Sequence, residues 1–227
     1  MQSALFSLRE AAIIAKQTPI GQEIGQLLLE TERQISNGLV DALRLQGAAL
    51  PPAKAKFDLF DMVSGLAADL ESIARQRDIQ IRIASGPGDS CAVFGVPFHI
   101  RVAFSNLLDN AIKYSFEGKW IDVRFLRVPA GGKTSSRSRG QISVEIEDIG
   151  VGFPTEMKDE LFNFGIRLDE TPGKWARSGA GIGLAQAKEY LESAGGSLDI
   201  DSEQLPTKSD RAGSIARVTA VVHLPIA

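Results

Sequence analysis

The sequence predicts an α+β fold preceded by a helical arm, and three observations point to it. Up to Leu45, apolar residues recur at helical spacing and nothing alternates in period two. The stretch "GAALPPAKAK", residues 47–56, then breaks that pattern with a proline pair. Beyond it, short segments that alternate as strands are interleaved with amphipathic helices. The chain therefore divides into an arm, residues 1–52, and a mixed domain, residues 53–227.

In the arm, Leu5, Leu8, Ala12 and Ala15 mark a first helix, which Thr18-Pro19 interrupts. A second helix runs from about Ile20 to Leu45. Its apolar positions Ile24, Leu28, Ile35, Leu39 and Leu43 form a seam in steps of four and seven, better suited to a partner helix than to closing a globule. This predicts dimerisation or docking through the arm. After the prolines, a helix is expected from about Phe60 to Arg77, a strand at 79–83 and a short strand at Ala92–Phe94. A helix containing "NLLDNAIKYS", residues 106–115, follows. "WIDVRFLRV" and "QISVEIED" read as strands joined by "PAGGKTSSRSRG", whose composition predicts a mobile hairpin loop. A helix from about Gly183 to Ala194 and strands at "SLDID" and "SIARVTAVVHLP" complete the chain.

Composition limits what such a chain can do. With 44% hydrophobic and 23% charged residues among 227, it can bury an ordinary core. Its 25 Lys plus Arg against 28 Asp plus Glu produce no basic field, which argues against nucleic acid and anionic lipid as partners. Cys91 is the only cysteine, so the chain has no internal disulfide framework and no thiolate cluster for zinc, as suits a reducing cytoplasm. Its place in "SCAVFG" predicts a small core residue. No apolar run approaches the roughly 18 residues of a membrane span, and no signal-peptide pattern opens the chain. A soluble, cytoplasmic chain is expected, with any sensor or anchor on another polypeptide or on a longer parent chain.

Three stretches carry chemistry. On a helical wheel Asn106, Asn110 and Lys113 fall within about 60° of one another, opposite Phe104, Leu107, Leu108, Ala111 and Ile112. A solvated face would also look like this. In the strand ending at Asp148, the carboxylate shares the parity of Ile142, Val144 and Ile146, so it should point to the apolar side. Such a charge needs a partner, and Gly150 and Gly152 directly after it permit a sharp turn and close approach. A capping aspartate before a turn explains the same residues less completely. Finally, Gly179, Gly181 and Gly183 lead straight into an amphipathic helix, presenting free N–H groups and a positive dipole end suited to phosphate. No strand precedes these glycines and no lysine follows in place, so neither a dinucleotide fingerprint nor a Walker loop is present.

Taken in order, these stretches resemble the nucleotide-binding boxes of the GHKL ATPase superfamily, most closely the catalytic and ATP-binding domain of sensor histidine kinases. The resemblance spans roughly residues 55–227: "NLLDNAIKYS" as Asn box, "DIGVGFP" and "GAGIGLA" as glycine boxes, "LFNFGIR" as Phe box, and an ending in "LP". It implies a two-layer α/β sandwich of the Bergerat type, with ATP held between the Asn-box helix and a lid. It further implies that Asn110 coordinates Mg²⁺, that Lys113 and Asn106 lie near the phosphates, and that Asp148 binds the adenine amino group above Gly150 and Gly152. Gly179, Gly181 and Gly183 would hold the phosphates. The lid would span about Pro154–Ser178, with Phe162 and Phe164 anchoring its start and Arg167, Lys174 and Arg177 facing the γ-phosphate.

In the gyrase-type, chaperone-type and anti-sigma-factor branches, the position four before the metal asparagine is a glutamate acting as general base. Here it is Asn106, which cannot take a proton, so the resemblance favours the kinase branch. The arm departs from that pattern. The phosphoacceptor motif is His, then Asp or Glu, two residues, Thr or Asn, and Pro; aligning Thr18-Pro19 puts Ile14 at the histidine and Ala15 at the acid. His99 and His223 are the only histidines, and both read as structural. The expected function is transfer of the ATP γ-phosphoryl group to a histidine on another chain or missing segment, with a response regulator as downstream partner. The alternative is a non-catalytic, ATP-responsive interaction module acting through the arm.

Overall fold

A computed structural model describes residues 53–84, 86, 91–129, 140–163, 183–206 and 215–227. The arm, the hairpin-loop residues 130–139 and the second half of the expected lid lie outside these residues. Residues Ala53–Ala227 form one compact unit.

The unit begins with strand β1 (Ala55–Asp58), which runs into helix α1 (Leu59–Arg75). Asp58 makes this junction. Its Oδ1 accepts the N–H groups of Phe60 (2.9 Å) and Asp61 (3.2 Å), a side-chain cap on α1, while Oδ2 accepts from Cys91 (3.1 Å). One carboxylate thus starts the helix and anchors the chain before strand β3 (Ala92–Gly95), which pairs antiparallel with β1. Between them, strand β2 (Gln80–Ile83) follows a turn in which Asp78 adopts φ 54°. Helix α2 (Pro97–Tyr114) starts with proline at its first position, where no N–H is missed.

Strands β4 (Trp120–Val128) and β5 (Gln141–Gly150) form the expected antiparallel pair. Short 3₁₀ turns at Thr155–Met157 and Glu160–Phe162 lead on, then helix α3 (Gly183–Ser193) and strands β6 (Ser197–Gln204) and β7 (Ala216–Pro225). The main sheet has the order β2-β4-β5-β7-β6, with β2 parallel to β4 and every other pair antiparallel.

The sheet has two unlike faces. Ile121, Val123, Phe125, Ile142, Val144, Ile146, Val222 and Leu224 are buried with residues of all three helices. On the opposite face Arg124 pairs with Glu145 and Glu147, and Arg217 with Glu147 and Glu203. These half-exposed ion pairs add little stability, but they mark that face as wet. The fold is therefore a two-layer sandwich, a mixed sheet with helices on one side. Cys91 is buried, as its neighbours suggested. No helix among the described residues is long and apolar enough to cross a membrane.

Candidate functional site

Helix α2 is amphipathic as its sequence requires. Phe104, Leu107, Leu108, Ala111 and Ile112 are buried, while Asn106, Asn110 and Lys113 are half-buried. The polar strip faces neither core nor open water. Asn106 Nδ2 donates to the carbonyl of Gly183 and to Oε1 of Gln186, both at 3.2 Å, which ties the strip to the first turn of α3. Asn110 makes no hydrogen bond within the described residues. Lys113 Nζ lies 2.5 Å from Oδ2 of Asp109, one turn back.

At the far end of α2 the chain is laced to β5. Ser115 forms an isolated bridge with Gly150, Phe116 N donates to the carbonyl of Ile149 (3.0 Å), and Val151 N to that of Tyr114 (3.4 Å). The Arg77 guanidinium, from the turn after α1, donates to the carbonyls of Ile112 and Ser115 and so satisfies acceptors at the buried end of the helix. The glycines fit this lacing. A Cβ on Gly150 would stand 2.0 Å from the Tyr114 carbonyl oxygen. Gly152 has φ +64°, and a Cβ there would meet Ala216 at 2.3 Å. The close approach that both glycines permit is thus first to the chain itself.

Asp148 sits on the inner face of β5, as its parity required, and is 5% exposed. Among the described residues its Oδ1 has no hydrogen-bond partner. Burial pushes its carboxyl up from 3.8 to about 7; the nearby Ser115 side chain opposes this, and the charge of Glu147 adds to it. The Ser115 hydroxyl makes no hydrogen bond of acceptable geometry, so burial dominates. A buried carboxylate with a free oxygen is costly unless something comes to meet it.

The segment after β5 is pinned at several points. Phe153 N donates to the Ser202 hydroxyl (3.1 Å), Lys158 bonds Asp199 (3.0 Å) and Asp201 (2.6 Å), and Leu161 is buried. Phe162 packs on the core with the Lys188 ammonium 4.4 Å from its ring centre. Gly183 is the first residue of α3. Gly179, Gly181, Phe164, Arg167, Lys174 and Arg177 lie outside the described residues. His99 stacks on Tyr190 with centroids 4.2 Å apart and planes 5° from parallel, which fits a packing role.

The structure thus brings together Asn106, Asn110 and Lys113 on one helix, Gly183 across from them, and Asp148 with its two glycines at the helix end. Sequence reasoning missed Arg77, Asp109, Ser115 and Gln186. Only Asp109 left a signal, its place four residues before Lys113. No cluster of three or more His, Cys, Asp or Glu side chains able to hold a metal occurs among the described residues.

The family model described as histidine kinase-, DNA gyrase B-, and HSP90-like ATPase matches residues 95–226. The adaptive-response sensory kinase SasA of Prochlorococcus marinus (strain MIT 9313) is 27% identical over 203 residues, 85% of this chain and 51% of its own. Sensor histidine kinase CusS of Escherichia coli (strain K12) is 30% identical over 159 residues, 70% of this chain and 30% of its own. Among solved structures, the mycobacterial sensor histidine kinase MprB aligns with a TM-score of 0.57 at 23% identity, over 77% of this chain and 100% of that one. This last likeness concerns the fold alone. The chain spans about half or less of the length of the curated relatives it matches.

Proposed function

We propose, for a chain that belongs to the histidine kinase-, DNA gyrase B-, and HSP90-like ATPase family, that residues 53–227 bind Mg-ATP and pass its γ-phosphoryl group to a histidine outside this chain. The observation that carries the kinase branch is the bonding of Asn106. Position 106 faces two acceptors, the Gly183 carbonyl and Gln186 Oε1. An amide satisfies both; a carboxylate would be repelled by the Gly183 carbonyl, which can only accept, and could be met only if Gln186 turned its Nε2 toward it. A general base is thereby disfavoured at the place where hydrolysing branches need one, and the base must come with the acceptor.

On this reading Asp148 accepts the adenine amino group, with Gly150 and Gly152 beneath the base, and the raised carboxyl is stabilised when that donor arrives. The residues also fit a magnesium ion. Asn110 offers an amide unpaired among the described residues, and Asn106, with both amide hydrogens engaged, has only its oxygen left; oxygen is the donor Mg²⁺ prefers. The chemistry the ion supplies is neutralisation of charge on the phosphates. Lys113 would reach the phosphates by exchanging Asp109 for them. Gly179, Gly181 and Gly183 would cradle them at the start of α3. Phe162 and Phe164 would anchor a lid bringing Arg167, Lys174 and Arg177 over the γ-phosphate. The reading extends to a cytoplasmic location, dimerisation through the arm, and a response regulator downstream.

The test is incubation with γ-labelled ATP, with and without purified histidine-bearing partner domains. Acid-labile, base-stable label on a partner is the expected result. ATP binding without transfer to any partner would leave only the ATP-responsive interaction module.

A further inference from the structure

Gln186 lies half-buried on the first turn of α3, between buried Ala185 and Ala187, with its Oε1 turned to Asn106 of α2. A polar side chain in a helix seam costs stability unless its hydrogen bonds are met, and here they are met in a directed way. The Gly183 carbonyl can only accept, so it fixes the amide nitrogen of Asn106 toward α3. Gln186 Oε1 takes the second hydrogen of that nitrogen. The same donation turns the Gln186 oxygen toward Asn106 and leaves its Nε2 3.5 Å from the hydroxyl of Tyr190, which is buried and stacked on His99 and can accept from it. The order Tyr190, Gln186, Asn106 therefore leaves one group unspent, the Asn106 Oδ1.

We propose that Gln186 is a positioning residue for the triphosphate: together with the Gly183 carbonyl it holds the Asn106 amide so that oxygen rather than N–H is offered on the nucleotide side. The inference rests on the ATP-site reading above. An unheld Asn106 could turn its N–H groups outward, where they would suit a phosphate oxygen but not a cation. A held Asn106 suits the cation, and with it the Mg-bound triphosphate rather than the bare base. The effect of Gln186 is thus confined to ligands that carry phosphates and magnesium.

The experiment compares the parent chain with Gln186→Met, which keeps length and helix propensity but has no acceptor oxygen. Mg-ATP and AMP are titrated calorimetrically and melting temperature is recorded. Expected is a loss of about tenfold in Mg-ATP affinity, the usual effect of removing a partner that orients a metal-side ligand, with AMP affinity and melting temperature unchanged. In an Asn106→Ala background Gln186→Met should have no further effect. Tyr190→Phe, which keeps the ring on His99, should shift Mg-ATP affinity in the same direction by less, and it decides the matter if Gln186→Met does not fold. Equal Mg-ATP affinity in parent and variants overturns the inference while the ATP site stands. Parallel losses for Mg-ATP and AMP overturn it too, and make Gln186 a helix tie only. A parent chain that binds no ATP removes the ATP-site reading, and this inference falls with it.

Discussion

Ionising Asp148 in its buried place sets stability against binding. A carboxyl whose pKa rises from 3.8 to about 7 on folding keeps its proton in the folded chain after the unfolded chain has lost it. Its contribution is therefore fully present below pH 4 and is lost as pH rises to about 7, a span equivalent to about 4 kcal/mol. Asp148→Asn removes the titration. Urea unfolding at pH 5 and pH 8 should show the parent losing stability over that interval relative to the variant; parallel behaviour would mean that Asp148 is not desolvated. The same charge is what an adenine amino group needs. ATP affinity of the parent should fall as pH drops from 8 to 6, and Asp148→Asn should bind ATP weakly with a narrowed preference over GTP, because an amide offers a donor where an acceptor is required. The position of Asp148 was readable from strand parity alone. That Gly150 makes room for the Tyr114 carbonyl was not, because the neighbour it meets is 36 residues away in sequence.

At the scale of elements, α2 is the part that organises the site, and it was legible because 18 residues of strong 3.6 periodicity leave few alternatives. Its fastenings were not. Arg77 and Gln186 are polar residues on or beside amphipathic helices, where composition cannot distinguish a solvated side chain from one spanning to another helix. Strand β1 was missed for a related reason: four residues, "AKFD", have no period to read, and β3, their partner, lies far along the chain. Arg77 gives the direct check. Its two bonds to the Ile112 and Ser115 carbonyls close the helix end that leads to Gly150. Losing charge-assisted bonds of this kind costs about 1.5–3 kcal/mol. Arg77→Ala should be destabilised by that order in chemical unfolding and should lose ATP affinity as well; unchanged stability would show the helix end to be held by the backbone lacing alone.

For the whole molecule, the sheet order and the parallel β2–β4 pair are properties of long-range pairing that no local pattern contains. The layer arrangement was accessible only through the family resemblance. Chemistry at this scale concerns what the chain lacks for phosphotransfer to itself. An acceptor nitrogen must be held in line with the γ-phosphate, with a carboxylate to help take its proton. In the register set by Thr18-Pro19, Ile14 and Ala15 would take the places of those groups. The purified chain should bind ATP yet form no acid-labile, base-stable phosphohistidine on itself, whereas Ile14→His with Ala15→Glu should create one if the arm is a decayed acceptor helix. Stoichiometric label on His99 or His223 would refute the alignment of the arm.

If the polar strip of α2 is a nucleotide site, Asn110 is its sharpest probe, because its amide has no structural partner to lose among the described residues. Calorimetric titration of ATP in Mg²⁺ into the parent and into Asn110→Ala is the measurement. Expected for Asn110→Ala is a weakening of at least tenfold, about 1.4 kcal/mol, with the circular dichroism spectrum unchanged. Equal affinity in the two proteins would contradict it and return the strip to a solvated helix face.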